Sequence, residues 1–201
     1  MLLLDTSRSM AGAPIAELNE GLGVFRAQLA SDPLAAKRVD VMLITFGPVE
    51  IVSEFGSVDM FQPPRLVADG DTPMGEAIAR ALDLLKARKV QYRESGIPYY
   101  RPWIFLISDG SPTDQWSKAA RLISEGEERK QLTFYAVGIE GADMATLSAI
   151  SVRAPLRLKG LAFGELFRWL SNSLRSVSHS SPGDQVALVN PAAPDGWAMI
   201  D

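Results

Sequence analysis

The chain has 201 residues, 47% of them hydrophobic and 22% charged, the proportions of a folded soluble domain rather than a disordered or membrane chain. Its formal net charge of −4 at pH 7 offers no basic footprint for nucleic acid, and no apolar run approaches the ~20 residues that span a bilayer. Cysteine is absent and the single histidine, His179, lies in a polar stretch. Disulfides, thiolate nucleophiles and zinc–thiolate sites are thereby excluded, and a Ser-His-Asp triad has no support.

The first stretch, MLLLDTSRSM, predicts a strand buried on both faces. It ends at Asp5, and Ser7 and Ser9 follow at alternating positions. Met1 to Asp5 is too short and too quickly acidic for a secretory leader, so a cytoplasmic location is the expectation. Pro14 suits a first helical position, and Ile15, Leu18, Leu22, Phe25 and Leu29 recur at helical spacing, which predicts a helix over 14–30 that stops before Asp32-Pro33. Val39 to Phe46 reads as a β-rich strand, Gly47-Pro48 as a tight turn, and Val49 to Phe55 as an antiparallel edge strand.

A Pro- and Gly-containing loop then leads to Thr72-Pro73, which reads as an N-cap and first turn for a helix ending near Tyr92. Residues 96–102 form a turn region carrying Tyr99 and Tyr100. Trp103 to Ser108 (WIFLIS) is another buried strand, and it too ends on an acid, Asp109, followed by Gly110. Helices are predicted over 116–130, 144–150 and 163–177, and strands over 132–139 and 155–158, the last at the sheet edge. Within the first of these helices, the Glu125 to Lys130 run reads as a solvated face.

Alternating strands and helices imply an α/β fold. We expect a doubly wound, Rossmann-like, mostly parallel sheet with one antiparallel edge strand and helices on both faces. Residues 1–177 make one domain in this reading, and 178–201 a C-terminal tail anchored through Val186, Leu188 and Trp197.

In such a sheet the loops leaving the carboxyl ends of the central strands lie side by side. Three loops, after strands or at helix starts, offer oxygen: Asp5, Ser7 and Ser9; Thr72; and Asp109. Each has an ordinary reading alone, as loop hydroxyl, helix cap or turn former. Together they form a hard-oxygen set of two carboxylates and three hydroxyls, suited to magnesium foremost, with manganese or calcium also compatible. Five protein ligands leave an octahedral cation with an open position for an external carboxylate. Asp69, Asp71 and Asp114 are nearby acids that read as solvated or capping residues.

Asp5-Thr6-Ser7-Arg8-Ser9-Met10 resembles the D-x-S-x-S motif of the von Willebrand factor A domain family. Thr72 in DGDTPMGEAI and Asp109 in ISDGSPTD resemble its second and third motifs, in order and spacing. The resemblance implies a complete metal-ion-dependent adhesion site. It departs from the family's pattern at Arg8, where a small residue is common. The phrases LLLDTSRSM, TPMGEAI and FLISDGSPTDQW are similar to the TerY-like branch associated with tellurium resistance. That resemblance implies protein partners of two kinds, a protein-phosphatase-2C-like enzyme and a protein kinase.

The expected function is therefore a non-enzymatic adaptor that binds an acidic residue of a partner protein through a divalent cation, with no nucleic acid or membrane partner. The alternative is a metal-dependent phosphohydrolase of the haloacid-dehalogenase type, which also begins with an apolar strand ending in an aspartate. That chemistry wants a second acid two residues on to protonate the leaving group. Ser7 stands there instead, and no segment offers an obvious phosphoryl-binding lysine. Neither phosphate-binding glycine motif, G-x-x-x-x-G-K-[ST] or G-x-G-x-x-G, is present.

Overall fold

Three consecutive leucines open the chain, and their side chains alternate across a sheet that is covered on both faces. In the computed structural model, which describes residues 1–109 and 111–200, Leu2 and Leu4 face one core and Leu3 the other. Gly110 therefore lies outside the described residues. The strands are β1 (Leu2–Asp5), β2 (Asp40–Phe46), β3 (Glu50–Ser57), β4 (Trp103–Ser108), β5 (Thr133–Gly138), β6 (Leu156–Leu158) and β7 (Ala198–Met199). They form one sheet in the order β3-β2-β1-β4-β5-β6-β7. β1 pairs in parallel with both β2 and β4, and β4, β5 and β6 continue in parallel.

The helices are α1 (Ala13–Ala30), α2 (Pro33–Arg38), α3 (Met74–Glu94), α4 (Ser117–Glu128), α5 (Met144–Ile150) and α6 (Phe163–Ser178). Phe25 of α1 and Phe163, Phe167 and Leu170 of α6 pack with Leu43 and Phe105 on one face. Ile78 of α3, Ile123 of α4 and Leu147 of α5 pack with Ile44 and Leu106 on the other. Each apolar stripe thus covers one side of strands too apolar to face water on either.

Three local features differ from the sequence expectation. Asp32-Pro33 starts a second helix instead of only ending the first, because Asp32 accepts hydrogen bonds from the Leu34 and Ala35 N–H groups, each at 3.0 Å. Both sheet edges are antiparallel: β3 pairs with β2 as expected, and β7 pairs with β6 at the other end. β6 is consequently an interior strand. The second edge comes from the C-terminal segment, where Trp197 is buried against the ring of Trp169 and the Lys159 ammonium binds the Gly196 carbonyl at 2.6 Å. Val186 and Leu188 are half-buried.

The third difference concerns Glu127, which the sequence places on a solvated face. It is 8% exposed. Its carboxylate meets Arg101 and Arg153 and accepts the Phe134 N–H. Those partners lie 26 residues away on either side in the case of the arginines, so a local charge pattern could not show them.

Candidate functional site

The chain runs from β1 to β2 and β3 on one side, then crosses to β4 on the other side of β1. That reversal places the topological switch point between β1 and β4, where the loops leaving adjacent strand ends part and open a crevice. Asp5 is the last residue of β1, and Asp109 follows the last residue of β4. Fold topology therefore brings two carboxylates together that are 104 positions apart in sequence.

A hydrogen-bonded chain links them. The Ser7 N–H donates to Asp5 Oδ1 at 2.9 Å, and the Ser108 hydroxyl donates to Asp5 Oδ2. The Ser7 and Ser9 hydroxyls share a bond at 2.9 Å, and the Ser9 hydroxyl donates to Asp109 Oδ1 at 2.8 Å. Asp5 is fully buried, Ser7 nearly so, Asp109 half-buried and Ser9 exposed. The constellation thus runs from the core to the surface.

Thr72 sits in the neighbouring loop and is buried. That loop is held against the first by the Asp69 N–H on the Thr6 carbonyl at 2.7 Å and the Arg8 N–H on the Gly70 carbonyl at 3.2 Å. It is held against the third loop by the Thr113 N–H on the Thr72 carbonyl at 2.9 Å and the Thr72 N–H on the Thr113 hydroxyl at 3.2 Å. Thr72 does not cap α3. Pro73 occupies the N-cap position, and Asp114 reaches over from the third loop to accept the Gly75 and Glu76 N–H groups at 2.9 and 2.7 Å. The Thr72 hydroxyl has no hydrogen-bond partner among the described residues and stays available.

Close packing of glycine backbones makes this convergence possible. Gly70 has φ +73°, and a Cβ there would lie 2.3 Å from the Gly47 carbonyl oxygen. Only a glycine meets both conditions without displacing the loop.

The electrostatics set the site apart. Burial pushes the Asp5 carboxyl above its ordinary range against the bonds from Ser108 and Ser7, and the charge of Asp109 adds to the rise. Burial likewise raises Asp109, opposed by the Ser9 hydroxyl. No basic side chain pairs with either acid among the described residues. Arg8, which stands between the two serines in the first loop, points instead to Asp69, with Nε 3.6 Å from Oδ1 and both side chains exposed.

Asp5, Ser7, Ser9, Asp109 and the loop bearing Thr72 are thus brought to one crevice. Ser108 belongs to it as well, although in the sequence it reads only as the end of a buried strand. The donors are all oxygen, as a hard divalent cation prefers, and two carboxylates are desolvated without a counter-charge. These residues fit such an ion. Among the described residues no group of three or more His, Cys, Asp and Glu is placed to hold a metal, so any cation here would depend on hydroxyls as much as on carboxylates. Asp114 and Asp69 serve as cap and loop acid, away from this chain of bonds.

A sequence model of the von Willebrand factor type A domain matches residues 1–159. Among solved structures, the chain is similar to the ArnB paralog VWA2 from Sulfolobus acidocaldarius, with 17% identity and TM-score 0.54, over 86% of this chain and 43% of that one. It is also similar to proximal thread matrix protein 1 from the mussel byssus, with 15% identity and TM-score 0.58, over 87% of this chain and 46% of that one. The chain spans less than half the length of these structures, and at such identities the likeness concerns the fold. No curated protein sequence matches the chain significantly.

Proposed function

The chain belongs to the von Willebrand factor type A domain family, and from that premise we propose that it is a non-enzymatic binding module. In this reading Asp5, Ser7, Ser9, Thr72 and Asp109 hold one divalent cation, magnesium foremost, and a partner protein supplies a carboxylate to it. The observation that carries the reading is the pair of desolvated carboxylates joined through the Ser9 hydroxyl with no basic side chain to balance them. When bound, the cation supplies a Lewis-acidic position open to an external oxygen.

The chain's own residues do the positioning. The Ser7 N–H and Ser108 hydroxyl fix the orientation of Asp5 at the base of the crevice. Ser7 and Ser9 carry the oxygen array to the surface, and the Asp114 cap anchors the loop bearing Thr72. Among the described residues no nucleophile is paired with a base there: Ser7 stands where a phosphohydrolase needs its acid, and His179 is bound to Asp32 at 2.9 Å, beyond the end of α6. The TerY-like phrases support a role beside a protein-phosphatase-2C-like enzyme and a protein kinase, in the cytoplasm. Among the described residues no helix is long and apolar enough to cross a membrane.

The test is binding of a purified phosphatase-2C-like or kinase partner, measured in magnesium and in chelator, to the unaltered chain and to Asp109→Ala. The reading expects binding in magnesium that falls by at least about tenfold with either change. Binding indifferent to both would overturn it.

A further inference from the structure

The opposite end of the sheet holds a second feature. Where β1, β2 and β4 begin, the end of α2, the last turns of α3 and α6, and the 97–102 segment enclose a cavity of about 550 Å³. Small-molecule sites span a range of roughly 300–1,000 Å³. The walls of this one combine two characters.

The first is positive charge. Lys37, Arg38, Arg88, Lys89 and Arg101 line the cavity against a single acid, Asp40, in a chain whose net charge is −4. Asp40 is already engaged, by Arg88 Nη2 and by the Tyr92 hydroxyl. Arg101 is balanced by Glu127. Arg38 and Lys89 reach only neutral oxygens, the Ser178 carbonyl at 2.7 Å and the Gln131 carbonyl at 3.1 Å. Their charge, with that of Lys37, is left uncompensated.

The second is apolar surface. Leu85, Tyr99, Phe105, Leu174 and Val177 line the same space. Arg88 joins the two characters. Its guanidinium lies 4.7 Å from the Tyr92 ring centroid and 5.7 Å from that of Phe55, and its Nε is buried with no acceptor among the described residues. A guanidinium carries five N–H donors, and the Nη hydrogens not taken by Asp40 and Gln91 can meet an incoming oxyanion.

We propose that this cavity binds a small organic anion with an apolar body. Its acidic head is held by Arg88 with Lys37 and Lys89 around it, and its body lies against Tyr99, Phe105 and Leu174. Inorganic phosphate would leave the apolar wall uncovered, and a neutral hydrophobe would leave the cations unmatched. The site stands independently of the cation reading, since it uses none of the residues at the carboxyl ends of the strands.

The test is fluorescence titration of the full chain with 8-anilinonaphthalene-1-sulfonate, followed by competition with decanoate and with decanol. One saturable site is expected, with decanoate displacing the dye at least about tenfold better than decanol. Leu174→Trp, which fills the cavity, and the double variant Lys37→Glu/Lys89→Glu, at positions outside the core, should each weaken binding by at least about tenfold with circular dichroism unchanged. Absence of saturable binding, equal competition by decanol, or affinity untouched by the double charge reversal would overturn the proposal.

Discussion

Asp5 and Glu127 are both buried carboxylates, 0% and 8% exposed, and the fold surrounds them in opposite ways. Glu127 is met by two arginines and a backbone N–H, so its charge is answered within the protein. Asp5 is met by the Ser108 hydroxyl, the Ser7 N–H and, through the intervening serines, a second acid, Asp109. A buried charge without a counter-charge is costly unless something outside the chain supplies one. Glu127 therefore reads as architecture, tying α4 to β5, and Asp5 as a buried charge that no basic side chain answers among the described residues.

Mutation separates the two carboxylates. The largest effect is expected at Glu127→Ala, which strands Arg101 and Arg153 and should cost about 3 kcal/mol in urea unfolding. Asp5→Asn should do the reverse. It keeps an oxygen for the Ser7 N–H and removes the uncompensated charge, so stability should change by less than about 1 kcal/mol. Its cation affinity should nevertheless fall by about 100-fold, measured calorimetrically. If Asp5→Asn destabilises as much as Glu127→Ala, the distinction between the two carboxylates is wrong.

Asp114→Ala removes the cap that the third loop provides for α3 and should cost about 1 kcal/mol, seen as a lowered unfolding midpoint. Arg8→Ala should cost less than about 0.5 kcal/mol, since its partner Asp69 is as exposed as it is.

A last, smaller contrast is with Asp32. The Ala35 N–H, then His179, hold its carboxyl well below the ordinary carboxylate range. Its stabilising contribution is therefore present above the unfolded-state carboxylate pKa near ~4 and is lost as pH falls below that value. Asp32→Asn should flatten the acid limb of the stability–pH curve, and an unchanged limb would contradict this assignment.

Much of this was legible in the sequence because it rests on local signals. The apolar runs at Leu2–Leu4 and 103–108 announce strands buried on both faces, and the acids that end them, Asp5 and Asp109, announce the crevice. The stripe from Ile15 to Leu29 announces α1. What was not legible depends on partners far along the chain. Thr72 looks like the cap of α3, but the cap is Asp114, 39 residues from the Gly75 N–H it accepts. Glu127 looks solvated until the strands bring Arg101 and Arg153 to it. The segment after α6 looks like a tail because two residues of strand, Ala198 and Met199, carry almost no periodic signal, and only the open edge of β6 makes them pair.

In the proposed reading, Asp5 and Asp109 form an uncompensated pair that a divalent cation completes. Calorimetric titration of the chelator-treated chain with magnesium, and then manganese, tests it most directly when repeated on Asp5→Asn. Saturable binding at one site is expected in the unaltered chain and its loss in the variant, with both chains equally folded. Equal binding in both chains, or none in either at millimolar cation, would contradict it.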